Sequence, residues 1–167
     1  MSEQPADPAV AVTPTPRVFL VVADETEEMR NALRYACRRA RHTSGRVALL
    51  YVVEPADFQH WLGVGRVIEE EARAQAELRM QVLATEVFAQ IGSMPVIHIR
   101  EGQRADQLVA LLQEDPTISL LVMATASGAG NPGPLVTFLL GHLGRRIRIP
   151  VTLVPGELSV EEIDALS

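Results

Sequence analysis

The sequence predicts an α/β fold, a single parallel sheet with helices packed on both faces. Three observations predict it. Five aliphatic runs of strand length recur along the chain, and segments of helical periodicity separate them. Aromatic residues make up only 4% of a chain that is 47% apolar, so the core is built from Val, Leu, Ile and Ala. Strands buried on both faces of a parallel sheet read as such continuous aliphatic runs.

The first run, Arg17–Ala23, is rich in β-branched residues. Asp24 and Thr26 follow it with side-chain oxygens suited to a helix start, and Glu27 is placed to reach back as in a capping box. The next segment sets Met29, Leu33, Ala36 and Ala40 on one face, with Arg30, Arg34, Arg38 and Arg41 on others, and stops near Gly45. Arg46–Val53 is the second strand. An irregular connection at 57–65 leads to a long helix from about Val67 to Ile91, whose apolar positions include Ile68, Ala72, Ala76, Met80, Leu83 and Val87. Pro95–Arg100 is a third strand, and Ala105–Glu114 a third helix with Leu108, Leu111 and Leu112 inward. Ile118–Ala124 is a fourth strand, and a loop dense in Gly and Pro spans 125–134. Leu135–Arg145 is the fourth helix and Pro150–Val154 the fifth strand. Ser159 and Glu162 predict a capped turn within 159–166. Strict alternation implies right-handed crossovers, with any ligand outside the carboxyl ends of the strands.

Composition excludes several classes of function. A length of 167 residues fits one domain, usually roughly 100–150 residues. A net charge of −6 argues against a general affinity for nucleic acid or anionic membrane. Cys37 is the only cysteine, so no disulfide framework exists and a reducing, cytoplasmic location is expected. Residues 1–16 carry neither a basic start nor an apolar core, and are expected to form a disordered arm before a domain over 17–156 and a tail over 157–167. No apolar run approaches the roughly 20 residues needed to cross a bilayer, which predicts a soluble chain. His42, His60, His98 and His142 lack ligand spacing, and no metal site is expected. Cys37 lies mid-helix without a matched histidine, so no nucleophile and no catalytic residue are assigned. Phe58, Trp61 and Leu62 form an apolar cluster in a connection, read as a lid on the protein's own core, as a cap on the crevice or as a partner contact.

The segments FLVVADETEEMRNALRYACRRA and VALLYVVEP resemble the opening of the universal stress proteins. REGQRADQLVALLQEDPTISLLVMA resembles that family's third strand, Gly-led turn, helix and fourth strand, and IPVTLVP its last strand. The resemblance covers about residues 17–156. It implies a Rossmann-like fold of the adenine nucleotide alpha hydrolase type, strand order 3-2-1-4-5, a crevice between strands one and four, and a homodimer paired through strand five. It places adenosine near Ala23, Asp24 and Val53. Asp24 alone reads first as a helix cap, and the two roles can coexist.

Nucleotide-binding members carry Gly-x2-Gly-x9-Gly-Ser/Thr after strand four, where small residues let backbone amides approach phosphate. Here the spacing reads Gly128-x2-Asn131-x9-Gly141-His142, so the second glycine and the hydroxyl are both replaced. Aligning on strand four puts Ala124 and Ser127 at the two early glycines instead. The resemblance thus implies phosphate contacts at Gly128, Gly130 and Gly141, with a degraded pattern. Gly128, Gly130 and Gly133 also fit a plain turn-forming loop. The reading is a stress-response binding protein that takes ATP, ADP or AMP weakly. The alternative is an enzyme on the same scaffold, a nucleotide hydrolase or adenylyl-transfer relative.

Overall fold

A computed structural model of the chain describes residues 15–55, 65–126, 128 and 131–167. Most of the expected arm, the Phe58, Trp61 and Leu62 cluster, Ser127 and Gly130 lie outside the described residues. The elements in order are β1 (Val18–Val22), α1 (Met29–Thr43), β2 (Arg46–Val53), α2 (Gly65–Ile91), β3 (Val96–Glu101), α3 (Arg104–Glu114), β4 (Ile118–Thr125), α4 (Pro134–His142), β5 (Val151–Pro155) and α5 (Val160–Leu166). All strand pairs are parallel, in the order β3-β2-β1-β4-β5. The predicted fold class and the implied strand order are both found.

Every residue of β1 is buried, because alternate side chains enter two separate cores. Phe19 and Val21 point into a core shared with Leu33, Ala36 and Cys37 of α1 and with Met80, Leu83 and Val87 of α2. Val18, Leu20 and Val22 enter the opposite core, with Leu108 and Leu111 of α3 and Val136 and Leu139 of α4. This is the doubly wound arrangement that right-handed crossovers produce.

Several helix boundaries differ from expectation. The Asp24–Thr26 segment does not open α1, which starts at Met29 with Glu28 at its N-cap and no side-chain cap bond. At the other end Ser44 takes the left-handed conformation (φ 51°), and Gly45 serves a different need. A Cβ on Gly45 would lie 2.6 Å from the Arg17 carbonyl oxygen. α2 has 27 residues and so reaches about 40 Å, whereas the eight residues of β2 cover about 26 Å. Its first turns therefore overhang the sheet, and Ile68, expected in the core, is exposed. α4 ends at His142 rather than Arg145, where Gly144 (φ 78°) turns the chain toward Ile147.

The Ser159–Glu162 capping box is present with both of its bonds, at 2.8 and 3.2 Å. The α5 helix it starts packs on α1 and buries Ile163 completely. Among the described residues no helix is long and apolar enough to cross a membrane.

Candidate functional site

The chain leaves β1 toward β2 and β3, and leaves β4 toward β5, so strand order reverses between β1 and β4. The loops after these two strands part there and leave a cleft at the carboxyl edge. A crevice of about 160 Å³ occupies it. Val22, Asp24 and Thr26 line it from the β1 side, and Met123 to Ala126 from β4. Pro132 to Val136 at the start of α4, Arg104 at the start of α3, and Glu28 and Met29 at the start of α1 line the rest of it.

Asp24 folds back on its own loop. Its Oδ1 accepts the Thr26 backbone N–H at 2.9 Å and the Thr26 hydroxyl at 2.5 Å. Such a local turn competes directly with helix capping, which is why α1 starts later than expected. Both bonds fall on Oδ1, and Oδ2 takes none from the described residues. Glu25 points away toward α2, where the Arg79 guanidinium bonds to it and holds its carboxyl below the usual range.

The remaining sequence-predicted residues are spread around this crevice rather than gathered in it. Ala23 is buried just below Asp24, and its N–H is taken by the Leu50 carbonyl at 2.8 Å. Val53 lines a separate hollow of about 360 Å³ between the end of β2 and the overhang of α2, with Glu54, Ile68 and Gly102. Ala124 lines the crevice itself. Gly128 has a left-handed backbone (φ 99°), and its N–H donates to Glu157 Oε1 at 2.6 Å. Asn131 is built into the loop: its Oδ1 accepts the Gly133 N–H and the Thr137 hydroxyl, both at 3.1 Å. That side chain props the left-handed Gly133 (φ 103°) that caps α4.

Gly141 and His142 sit in the last turn of α4, seven residues beyond Pro134 and so roughly 10 Å along the helix from its crevice end. His142 Nδ1 lies 2.7 Å from the Phe138 carbonyl oxygen, and the two rings stack with centroids 4.1 Å apart.

Sequence reasoning named Thr26 at a helix start and Gly133 in the glycine loop, and missed Arg104. Arg104 had an available signal, since every βα turn of a parallel sheet opens on the carboxyl edge. Its backbone N–H donates to Glu54 Oε1 at 3.2 Å, and its Nη2 lies 3.4 Å from Glu54 Oε2. Its Nε is buried without a partner among the described residues. Cys37 is buried under α1, and burial pushes its thiol up to about 12, which leaves it protonated and unreactive at neutral pH. Among the described residues no three His, Cys, Asp or Glu side chains gather as a metal site.

Solved structures share this architecture. Universal stress protein UspA from Lactobacillus plantarum matches with a TM-score of 0.68 at 18% identity, over 83% of this chain and 97% of that one. A universal stress protein family protein from Arabidopsis thaliana, solved with AMP bound, matches with a TM-score of 0.58 at 15% identity, over 88% and 95%. The universal stress protein from Archaeoglobus fulgidus in complex with dAMP matches with a TM-score of 0.58 at 14% identity, over 83% and 97%. No curated protein sequence matches this chain. The family model described as "Universal stress protein family" matches residues 16–155, the span that builds all five strands and the crevice between β1 and β4, and the chain therefore belongs to the universal stress protein family.

Proposed function

We propose that the protein binds an adenine nucleotide weakly at the crevice between β1 and β4, in a stress-response role that rests on binding rather than turnover. The observation that carries this is the Asp24 carboxylate. It stands at the end of β1 with Oδ2 taking no bond from the described residues, in the same crevice as the first turn of α4. The carboxylate suits ribose hydroxyls, and the first-turn amides of a helix suit phosphate. Family relatives solved with AMP and dAMP support the ligand class.

Weakness follows from the loop. The Gly128 amide is occupied by Glu157, the second glycine position holds Asn131, and Gly141-His142 lies at the far end of α4. Each lost charge-assisted bond lowers affinity about tenfold to a hundredfold. The crevice is also smaller than the roughly 300–1,000 Å³ common for ligand pockets, so it must widen to admit a nucleotide. Calorimetry with adenosine, AMP, ADP and ATP is the test. Asp24→Asn keeps the Oδ1 turn and is expected to weaken adenosine and AMP by a similar factor of about ten. Absence of binding by every adenine compound at millimolar concentration overturns the reading.

The same proposal includes a cytoplasmic homodimer. Among the described residues β5 is a sheet edge, paired with β4 alone, and its Val151–Val154 stretch carries no charged guard. The opposite edge, β3, carries Arg100 and Glu101. Light scattering is expected to report a dimer that Val151→Lys weakens, and a stable monomer at micromolar concentration refutes the pairing.

A further inference from the structure

We infer that Arg104 is the phosphate receptor of the crevice: its guanidinium takes the phosphate monoester of a bound nucleotide, the work that glycine amides do elsewhere in the family. The inference rests on the nucleotide reading above and names the group that meets the charge.

Three observations converge on this side chain. Arg104 lines the same crevice as Asp24 and the first turn of α4, so a ligand whose ribose lies on Asp24 has its phosphate within the same small space. Its Nε–H is buried and has no acceptor among the described residues. A buried, unsatisfied donor on a charged group is costly, and an anion in the crevice removes that cost. Finally, its ion pair with Glu54 holds it loosely. Glu54 lies 3.4 Å from Nη2 through one oxygen, with the two side chains 34% and 45% exposed. Exposed single-contact pairs of this kind contribute little, whereas a phosphate takes a guanidinium through two parallel bonds, Nε–H included.

Glu54 then has a defined role as the resident counter-ion. With the crevice empty it accepts from the Arg104 backbone N–H and steadies the guanidinium at the start of α3. With a phosphate present it competes for the same cation, and so lowers phosphate affinity without touching the adenosine end.

The test compares adenosine with AMP by calorimetry at low salt, in the full chain and in Arg104→Gln, Arg104→Lys and Glu54→Gln, with thermal melts confirming that each variant is folded. AMP is expected to bind the unaltered protein about tenfold or more tighter than adenosine, and Arg104→Gln to erase that advantage while leaving adenosine within about twofold. Arg104→Lys is expected to restore only part of it, because an ammonium lacks the two-pronged geometry. Glu54→Gln is expected to tighten AMP and leave adenosine unchanged. If adenosine binds but AMP gains nothing over it, or if Arg104→Gln weakens both equally, Arg104 is a structural brace and the inference falls while the nucleotide reading stands. If neither ligand binds the unaltered protein, both fall together.

Discussion

Arg34 holds Asp164 through two parallel hydrogen bonds of 2.7 Å each, joining the middle of α1 to the last helix of the described chain. Arg38 approaches the same carboxylate at 3.4 Å, and the Asn31 amide donates to the Gly156 and Leu158 carbonyls at 3.0 Å. Beneath this polar seam Ile163 is fully buried. The Arg34 hydrogen bonds hold the Asp164 carboxyl below its usual range. A carboxylate depressed in the folded state stabilises fully above its unfolded value, near 4, and loses that contribution as pH falls through the folded value. Acid is therefore expected to loosen α5 before the sheet, read as loss of the Ile163 methyl shift by NMR below pH 4 or so. Asp164→Asn is expected to remove that pH dependence. Ile163→Ala is expected to cost about 2–5 kcal/mol at neutral pH, because it empties a packed site rather than a screened one. An α5 that melts with the sheet at every pH contradicts the ionic latch.

Gly45, in the turn between α1 and β2, lies close against the chain at the start of β1. The Cβ of an alanine there would meet the Arg17 carbonyl oxygen at 2.6 Å and the Phe19 ring at 2.9 Å. Phe19 is packed within β1, and the Arg17 carbonyl just before that strand is fixed by the Arg46 N–H at 2.7 Å. Gly45→Ala is expected to destabilise by about 1–3 kcal/mol in urea titration. Ser44→Gly one residue earlier relieves a left-handed serine and is expected to cost nothing. Equal losses from the two changes would show that helix termination, not close packing, is what the glycine serves.

The contrast between Gly45 and the strands shows what was legible. Runs such as Val18–Val22 and Val47–Leu50 are aliphatic because both faces of the sheet are covered, so their strand character is written into every residue. The α1 stripe of Met29, Leu33, Ala36 and Ala40 is legible for the same reason, and all four are buried. Helix starts were harder, because Asp24 has two local partners available and the turn to Thr26 wins over the cap. Within the site, Asp24 was visible since it directly follows a strand. Arg104 was not, because its meaning comes from the topology that brings the third βα turn to the crevice edge, and no local pattern carries that. The motif spacing at Gly141-His142 falls on the last turn of α4, away from the crevice that Asp24 lines, because spacing alone does not say where a helix begins.

That displacement makes His142→Ser the informative substitution. If spacing alone governed the site, a restored hydroxyl would donate to phosphate and tighten ATP binding. In the fold, His142 lies in the last turn of α4, bonded to the Phe138 carbonyl and stacked on its ring, with the crevice at the other end of the helix. His142→Ser is therefore expected to leave ATP affinity within about twofold and to cost about 0.5–1.5 kcal/mol of stability from the lost stack. On the proposed nucleotide reading the position that limits phosphate contact is Gly128, whose N–H is taken by Glu157 at 2.6 Å. Removing that carboxylate with Glu157→Ala frees the amide and removes a negative charge from the loop. This change is expected to raise ATP affinity about tenfold in the same calorimetry. A gain from His142→Ser with none from Glu157→Ala would mean that binding draws the last turn of α4 to the phosphates, a rearrangement of the helix rather than a widening of the crevice.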